Sequence, residues 1–250
     1  MPVVPTTRPV LGIRFFVGTP GQAVEQMHRN GGLLVAPAGV IFGLLQHDAS
    51  YRSAVVGADC ALADSGLMVL LWRTLRGGRI TRISGLRYLQ SLCVSLAGSR
   101  SRRSLWVVPN AEAKRRAESW LREAGVAAAP EIYIAPMYQQ LVADPELLAL
   151  AESQRPDDII IGVGAGPQEK LGAYLRDYAS HRPAIHCIGG ALGVLTGHQR
   201  AIPNWADRLY LGWLFRLVAQ PRVFIPRLAR AWRLPWLIAR YGEKLPPARS

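Results

Sequence analysis

The stretch Asp157-Asp158-Ile159-Ile160-Ile161-Gly162-Val163-Gly164-Ala165-Gly166-Pro167-Gln168-Glu169-Lys170 decides the fold. Two acids are poor residues for a buried strand, so Asp157 and Asp158 are assigned to a solvated loop ahead of it. The β-branched run from Ile159 suits a strand covered on both faces, as in the middle of a parallel sheet. Gly162, Gly164 and Gly166 let the chain turn sharply with no side chain in a ligand's way. Pro167 fits the first position of a helix, where its missing N–H costs nothing. Strand, glycine turn and helix N-terminus together aim free N–H groups at an anion. A tight βα connection with no ligand has the same pattern, and Gln168-Glu169 sharpens the ligand reading.

Outward from this unit the same alternation recurs. Upstream, residues 1–12 read as a loose lead-in, 14–17 as a strand, and Val24, Met27 and His28 as one face of a short helix. Strand 33–36 ends in the small-residue turn 37–39, and a helical pattern covers about 40–56. The apolar segment 60–63 closes at Asp64-Ser65-Gly66 and leads into an apolar, interior helix over 67–75. Ser84-Gly85 caps a further helix, and Gly98 to Arg103 is a basic surface turn. Strand 105–108 precedes a helix capped by Asn110, and strand 131–134 precedes helix 145–153. After the organising unit comes strand 184–188, which Gly189-Gly190 turns over. Alternating strands and helices predict an α/β, Rossmann-like fold with a largely parallel sheet flanked by helices. Such sheets place ligands at the small-residue turns after their strands. The predicted division is a core over 1–198 and a C-terminal basic helical appendage over 199–250.

The chain has 250 residues, half of them hydrophobic, enough for a sizeable core. No apolar run approaches the roughly 18 residues that span a bilayer, and Met1 to Pro9 lacks the apolar region of a secretory signal. Cys60, Cys93 and Cys187 are far apart in apolar surroundings, which predicts buried thiols in a reducing compartment, with no disulfide or zinc site. The formal net charge of +13 points to an anionic partner: nucleic acid, an acidic membrane surface or a phosphorylated substrate.

The charge is concentrated late. Beyond Arg200 stand Arg208, Arg216, Arg222, Arg227, Arg230, Arg233, Arg240, Lys244 and Arg249, against Asp207 and Glu243. Trp205, Trp213, Trp232 and Trp236 lie among leucines and isoleucines, and Pro221, Pro226 and Pro235 divide the segment into short helices. Tryptophan with arginine suits a membrane interface carrying anionic lipid. The alternative is a helical cap whose tryptophans pack on the core and whose arginines are simply solvated.

Asp64 is the best candidate for an acid or base, because it ends a strand at the ligand edge. An N-cap of the following helix is the competing reading. His28, His47, His181, His186 and His198 show no metal-ligand spacing, and His186, inside a strand, reads as a satisfied core imidazole. No Gly-x-Ser-x-Gly elbow, Walker lysine loop or paired-Cys motif is present, and the glycine turn lacks a complete dinucleotide fingerprint. No recognition helix or stacking sheet for nucleic acid is visible.

Several blocks, in order and spacing, resemble the WecG/TagA/CpsF glycosyltransferases: Ala63-Asp64-Ser65-Gly66, Arg82-Ile83-Ser84-Gly85, Gly164-Ala165-Gly166-Pro167-Gln168-Glu169-Lys170, Gly189-Gly190-Ala191, Arg200 to Trp205, Leu211 to Leu217 and Gln220-Pro221-Arg222. The resemblance covers about residues 13–242. It implies an inverting transfer of a sugar, an N-acetylhexosamine or related hexose, from a UDP-sugar to a polyprenyl-diphosphate-linked acceptor. The setting would be the cytoplasmic face of the membrane, with peripheral attachment, in cell-surface polysaccharide synthesis. It further implies no metal or other cofactor, Asp64 as general base, and Gln168 on the nucleotide-sugar. Glu169, Gly164, Gly166, Gly189 and Gly190 would line the site, and Arg216, Arg222 and, more loosely, Arg227 would meet the substrate's phosphates. Nucleic acid is not an expected partner, and self-association through the appendage is left open.

The chain also departs from the family pattern. Ala36-Pro37-Ala38 stands where Thr-Pro-Asn is common, Arg87 where an aspartate is usual, Gly193 in place of an acid, and Gly212 in place of a glutamate. Retention of Asp64 and Gln168 amid these losses suggests a changed donor or acceptor. The alternative is an inactive relative serving as a membrane-bound accessory subunit.

Overall fold

A computed structural model describes residues 6–99, 101–126, 130–139, 142–195, 210, 212–219, 221–222, 225, 229 and 231–249, with only the backbone given for Val40, Leu195, Arg216 and Ala219. Its strands are β1 (Thr7–Val10), β2 (Ile13–Phe16), β3 (Gly32–Val35), β4 (Cys60–Ala61), β5 (Ser104–Val108), β6 (Glu131–Ile134), β7 (Asp158–Ile161) and β8 (Ala184–Cys187). They form one sheet in the order β1-β2-β4-β3-β8-β7-β5-β6. Every pairing is parallel except β1 with β2. The helices between them are α1 (Pro20–Asn30), α2 (Leu44–His47), α3 (Ala49–Val56), α4 (Gly66–Arg76), α5 (Gly85–Ala97), α6 (Ala111–Glu123), α7 (Pro145–Gln154), α8 (Pro167–Tyr178) and α9 (Gly189–Leu195).

Successive side chains of a strand point to opposite faces, so the sheet makes two cores. On one face Leu33, Val35, Leu105, Val107, Ile159 and Ile161 meet Tyr51, Met68, Leu147 and Leu171 from the helices. On the other, Leu34, Trp106, Ile132 and Ile160 meet Met27, Tyr88, Leu89 and Leu121. Both faces are covered, as the uninterrupted isoleucines of β7 require. This is the expected Rossmann-like α/β architecture.

Several local expectations are corrected. The lead-in contains β1, which pairs with β2 through a two-residue turn at Leu11 (φ 51°) and Gly12 (φ 81°). Positive φ at both positions fits the twist of a hairpin, but the usual Asn-Gly signal is absent. Leu11 is fully buried, and the C-terminal tail covers the turn: Leu11 N–H donates to Gly242 O and Gly12 N–H to Glu243 O. The helical stretch 40–56 is broken at Asp48, whose carboxylate caps α3 by accepting Tyr51 N–H at 2.8 Å. In α4 only one face is interior: Met68, Val69 and Trp72 are buried while Leu75 is exposed. Gly189-Gly190 opens α9 instead of forming a simple turn.

The two acids ahead of the organising strand part company. Asp157 is exposed and accepts Arg103 N–H at 2.8 Å. Asp158 is not in a solvated loop: it is the first residue of β7 and wholly buried. Its Oδ2 accepts from Arg102 Nε at 2.8 Å, and its Oδ1 lies 3.1 Å from His186 Nε2. Burial pushes this carboxyl upward, but His186, His28 and Arg102 outweigh it and hold the group well below the usual carboxylate range. His186 is the core imidazole expected. Burial lowers its pKa against the pull of Asp158, so the neutral ring donates from Nε2 and accepts at Nδ1 from Tyr88 OH, 2.8 Å away. Arg102 accordingly belongs to a buried pair, not to a freely solvated turn. The three cysteines are buried free thiols, as expected.

Toward the C-terminus, the helices Gly212–Ala219 and Leu234–Tyr241 both pack on α4. Leu234, Leu237 and Ile238 join the core beside Ile13 and Val69. The tail then returns to α2, where Arg249 N–H donates to Gln46 O at 2.7 Å. The division placed at 198/199 lies outside the described residues.

Candidate active site

Parallel strands deliver their following loops to one edge, and here the loops after β3, β4, β7 and β8 meet at the carboxyl end of the sheet. The β4 loop carries Asp64. The cap of α4 is its neighbour Ser65, whose Oγ accepts Met68 N–H at 3.2 Å, which rules out the capping alternative for Asp64. The half-buried Asp64 carboxylate turns to α5 instead, and Oδ1 accepts the N–H of Gly85 at 3.0 Å. Its backbone carbonyl accepts from Arg82 Nε at 2.9 Å. No described residue hydrogen-bonds to Oδ2. Gly39, after β3, abuts the same loop, since a Cβ there would lie 2.5 Å from Ser65 Oγ.

The second half of the site is the glycine turn after β7. Gly164 (φ 102°) and Gly166 (φ 97°) hold conformations that side-chain-bearing residues rarely adopt. A Cβ on Gly164 or on Gly190 would meet nothing within 4 Å, so both present open backbone. Gly189 is the opposite case, because its Cβ would come 2.4 Å from Gln168 Oε1 and 3.1 Å from Gly164 N. Gln168 Oε1 accepts Gly189 N–H at 3.0 Å, and its Nε2 donates to Glu169 Oε1 at 3.0 Å. Glu169 Oε2 accepts Gly166 N–H at 2.7 Å. These two buried side chains therefore lock the two glycine loops together and are committed within the protein. Burial raises the Glu169 carboxyl to about 7, against the pull of Gln168, Gly166 N–H and Lys170.

The halves join at Gly85, where an added Cβ would touch Ala191 at 3.6 Å. One crevice thus gathers the Asp64 carboxylate, the N-termini of α5, α8 and α9, and the open backbone of Gly164 and Gly190. Helix N-termini converging on a glycine-lined edge suit a phosphorylated ligand.

The C-terminal segment reaches the same crevice. The carbonyl of Tyr210 lies against Gly66, where a Cβ would meet it at 2.6 Å. The Tyr210 ring is covered by the guanidiniums of Arg73 and Arg82, 4.8 and 5.8 Å from its centroid. Of the arginines expected near phosphate, Arg216 lies on the helix Gly212–Ala219, where only its backbone is described. Arg222 is exposed, and Arg227 lies outside the described residues, as do Trp205 and His198. Sequence reasoning missed that Ser84-Gly85 receives Asp64 and that Tyr210 closes on the Asp64 loop. The first had a signal, since a helix start offers free N–H groups to a carboxylate, but its partner is 21 residues away.

Residues 8–248 match the family described as Glycosyl transferase WecG/TagA/CpsF. The chain belongs to this family. It is also similar to the N-acetylglucosaminyldiphosphoundecaprenol N-acetyl-beta-D-mannosaminyltransferase of Bacillus subtilis (strain 168), 32% identical over 95 residues. That match covers 37% of this chain and 36% of the relative, about a third of its length. Family membership extends over both the strand-loop crevice and the basic C-terminal segment.

Proposed function

We propose that this family member is an inverting glycosyltransferase that moves a sugar from a UDP-sugar to a polyprenyl-diphosphate-linked acceptor at a membrane surface. The observation that carries this is Asp64, released from capping duty by Ser65 and set on the N–H of Gly85 at the rim of the glycine-lined crevice. In this reading the acceptor hydroxyl attacks the anomeric carbon of the donor while Asp64 takes its proton. The bond from that carbon to the diphosphate oxygen breaks, and UDP leaves with the electron pair. Inversion of an α-linked donor yields a β-linked product, the linkage in the relative's name. The N-termini of α8 and α9 and the arginines Arg216, Arg222 and Arg227 would stabilise the leaving diphosphate, with no metal required. Gln168 and Glu169 would act through the shape of the turn they lock.

The appendage would supply the membrane contact. No described helix is long and apolar enough to cross a bilayer. Trp232 and Trp236 are 68% and 46% exposed, and Leu214, Val218 and Ile225 are exposed as well. Arg233 and Arg249 lie over the two indoles at 5.3 and 5.9 Å. Exposed indoles flanked by cations suit an interface carrying anionic lipid.

The test is calorimetric titration of the full chain with UDP, with GDP and NAD as controls, followed by flotation on anionic vesicles. Selective UDP binding and flotation are expected. A folded chain that binds no UDP yet floats would favour the accessory-subunit alternative.

A further inference from the structure

At the opposite end of the sheet, below the amino ends of β3, β5, β7 and β8, lies a cavity of about 390 Å³ that the crevice chemistry does not use. Its lining includes Arg29, Arg102, Arg103, Arg155 and Arg182, with Asp157 as the acid among them. A cavity of this size falls within the range of small-molecule sites. Some of the cationic charge is already spent. Arg102 is paired with Asp158, Arg182 donates to Asp59 Oδ1 at 2.7 Å, and Arg103 donates from Nη2 to Arg155 O at 2.9 Å. No hydrogen bond or ion pair with a described residue holds the guanidinium of Arg29 or Arg155. Glu152, whose charge acts on Arg155, is itself bonded to Ser180.

Two further observations point to a missing ligand. His181 Nδ1, on this cavity, is shut off from solvent without a hydrogen-bond partner, while its Nε2 faces Pro156 O at 3.3 Å. His28 Nε2, also on the cavity, lies 3.2 Å from Asp158 Oδ1 and is spent on that carboxylate. Arg155, moreover, ends α7 in the left-handed region (φ 43°, ψ 58°), where glycine or asparagine is the usual residue. An arginine accepted there at a conformational cost of about 1 kcal/mol places a cationic fork at the cavity that glycine would not.

We propose that this cavity is a second anion site, separate from the carboxyl-end crevice, which takes a phosphorylated small molecule on the forks of Arg29 and Arg155. Guanidinium forks match phosphoryl oxygens in pairs, and the site stands about 13 Å from the crevice, the length of a four-residue strand. The phosphoryl group could belong to a free metabolite or to a lipid headgroup, and the two sources are separable by experiment.

Pyrophosphate is the probe, titrated calorimetrically into the wild-type chain and into Arg29→Ala/Arg155→Gly. Both residues are exposed, and glycine relieves the backbone at 155, so the variant should retain its melting temperature. The expected result is a loss of at least about tenfold in pyrophosphate affinity, with UDP affinity unchanged. Arg29→Lys/Arg155→Lys, which keeps charge but not forks, should fall between. Equal pyrophosphate affinity in wild type and the Ala/Gly variant would overturn the proposal, as would no binding to wild type at millimolar concentration. Flotation on phosphatidylcholine vesicles doped with phosphatidic acid assigns the source. Because the appendage is expected to float the chain on any anionic vesicle, phosphatidylserine vesicles of equal charge are the control. A preference for phosphatidic acid that the Ala/Gly variant loses identifies a headgroup, and no such preference alongside weakened pyrophosphate binding in the variant identifies a free anion.

Discussion

The two ends of the sheet treat an aspartate in opposite ways. At the carboxyl end Asp64 is half-buried, touched by one backbone N–H, and set beside glycines whose backbone is open. At the amino end Asp158 is wholly buried and gripped by Arg102 and His186. The first carboxylate has capacity left to take a proton from an incoming group. The second has its charge consumed by partners and serves the fold. Burial alone would have ranked them wrongly as candidates, because the more buried group is the less available one. Strongly shifted pKa values mark structural ion pairs as well as functional sites, and only the partner list separates the two here.

The largest effect expected is on turnover. Asp64→Asn keeps the size of the side chain and an oxygen to accept Gly85 N–H but cannot take the proton. Sugar transfer should fall by about two to four orders of magnitude, with UDP affinity retained and stability changed by less than about 1 kcal/mol. A steady-state assay with a lipid-linked acceptor beside a urea melt checks this, and wild-type turnover in the variant would remove Asp64 as base. Asp158→Ala should show the converse. Removing one partner of a buried ionic cluster costs about 3–5 kcal/mol, because Arg102 and His186 are left without their acceptor. Urea unfolding of that variant measures it, and a loss below about 1 kcal/mol would mean that the cluster contributes little to the fold.

The contrast also explains what the sequence could tell. β-Branched runs, glycine turns and the N-caps at Ser84 and Asn110 are local signals, and they located the parallel sheet, its helices and the edge where the glycine turns gather. Asp158 was misread because a carboxylate in a strand is acceptable only with partners that meet its charge. Its partners Arg102 and His186 come from the connection ahead of β5 and from the neighbouring strand β8, 56 and 28 residues away. The hairpin turn at Leu11-Gly12 escaped for a similar reason. Its leucine holds φ 51° while fully buried under the C-terminal tail, a tertiary effect that no local turn signal carries. Asp64 was legible as a candidate by its position at a strand end, but its separation from capping depended on which of two adjacent polar residues reached Met68 N–H. Hydroxyl and carboxylate caps are nearly equivalent in preference, so the sequence left that choice open.

Glu169 sharpens the comparison from a third side, as a carboxyl buried like Asp158 but located at the carboxyl end of the sheet. It has no cation within hydrogen-bond reach among the described residues, and burial lifts it to about 7 instead of lowering it. A carboxyl whose folded pKa exceeds its unfolded value binds its proton more tightly when folded. Its contribution to stability is complete below about pH 4.5 and is lost as pH rises toward 7. The span corresponds to about 3 kcal/mol. Glu169→Gln cannot ionise, so the stability difference between wild type and variant should shrink by about that amount from pH 4.5 to pH 8. Asp158 works in the other direction: its contribution is present above about pH 4 and is lost only as pH falls further, which keeps the two windows apart. Urea melts of both proteins across this range decide it, and parallel profiles would show that Glu169 stays charged in the fold. A falling difference would also mean that the carboxyl accepting Gly166 N–H and Gln168 Nε2 changes its charge near neutrality, with both bonds strengthening as it ionises.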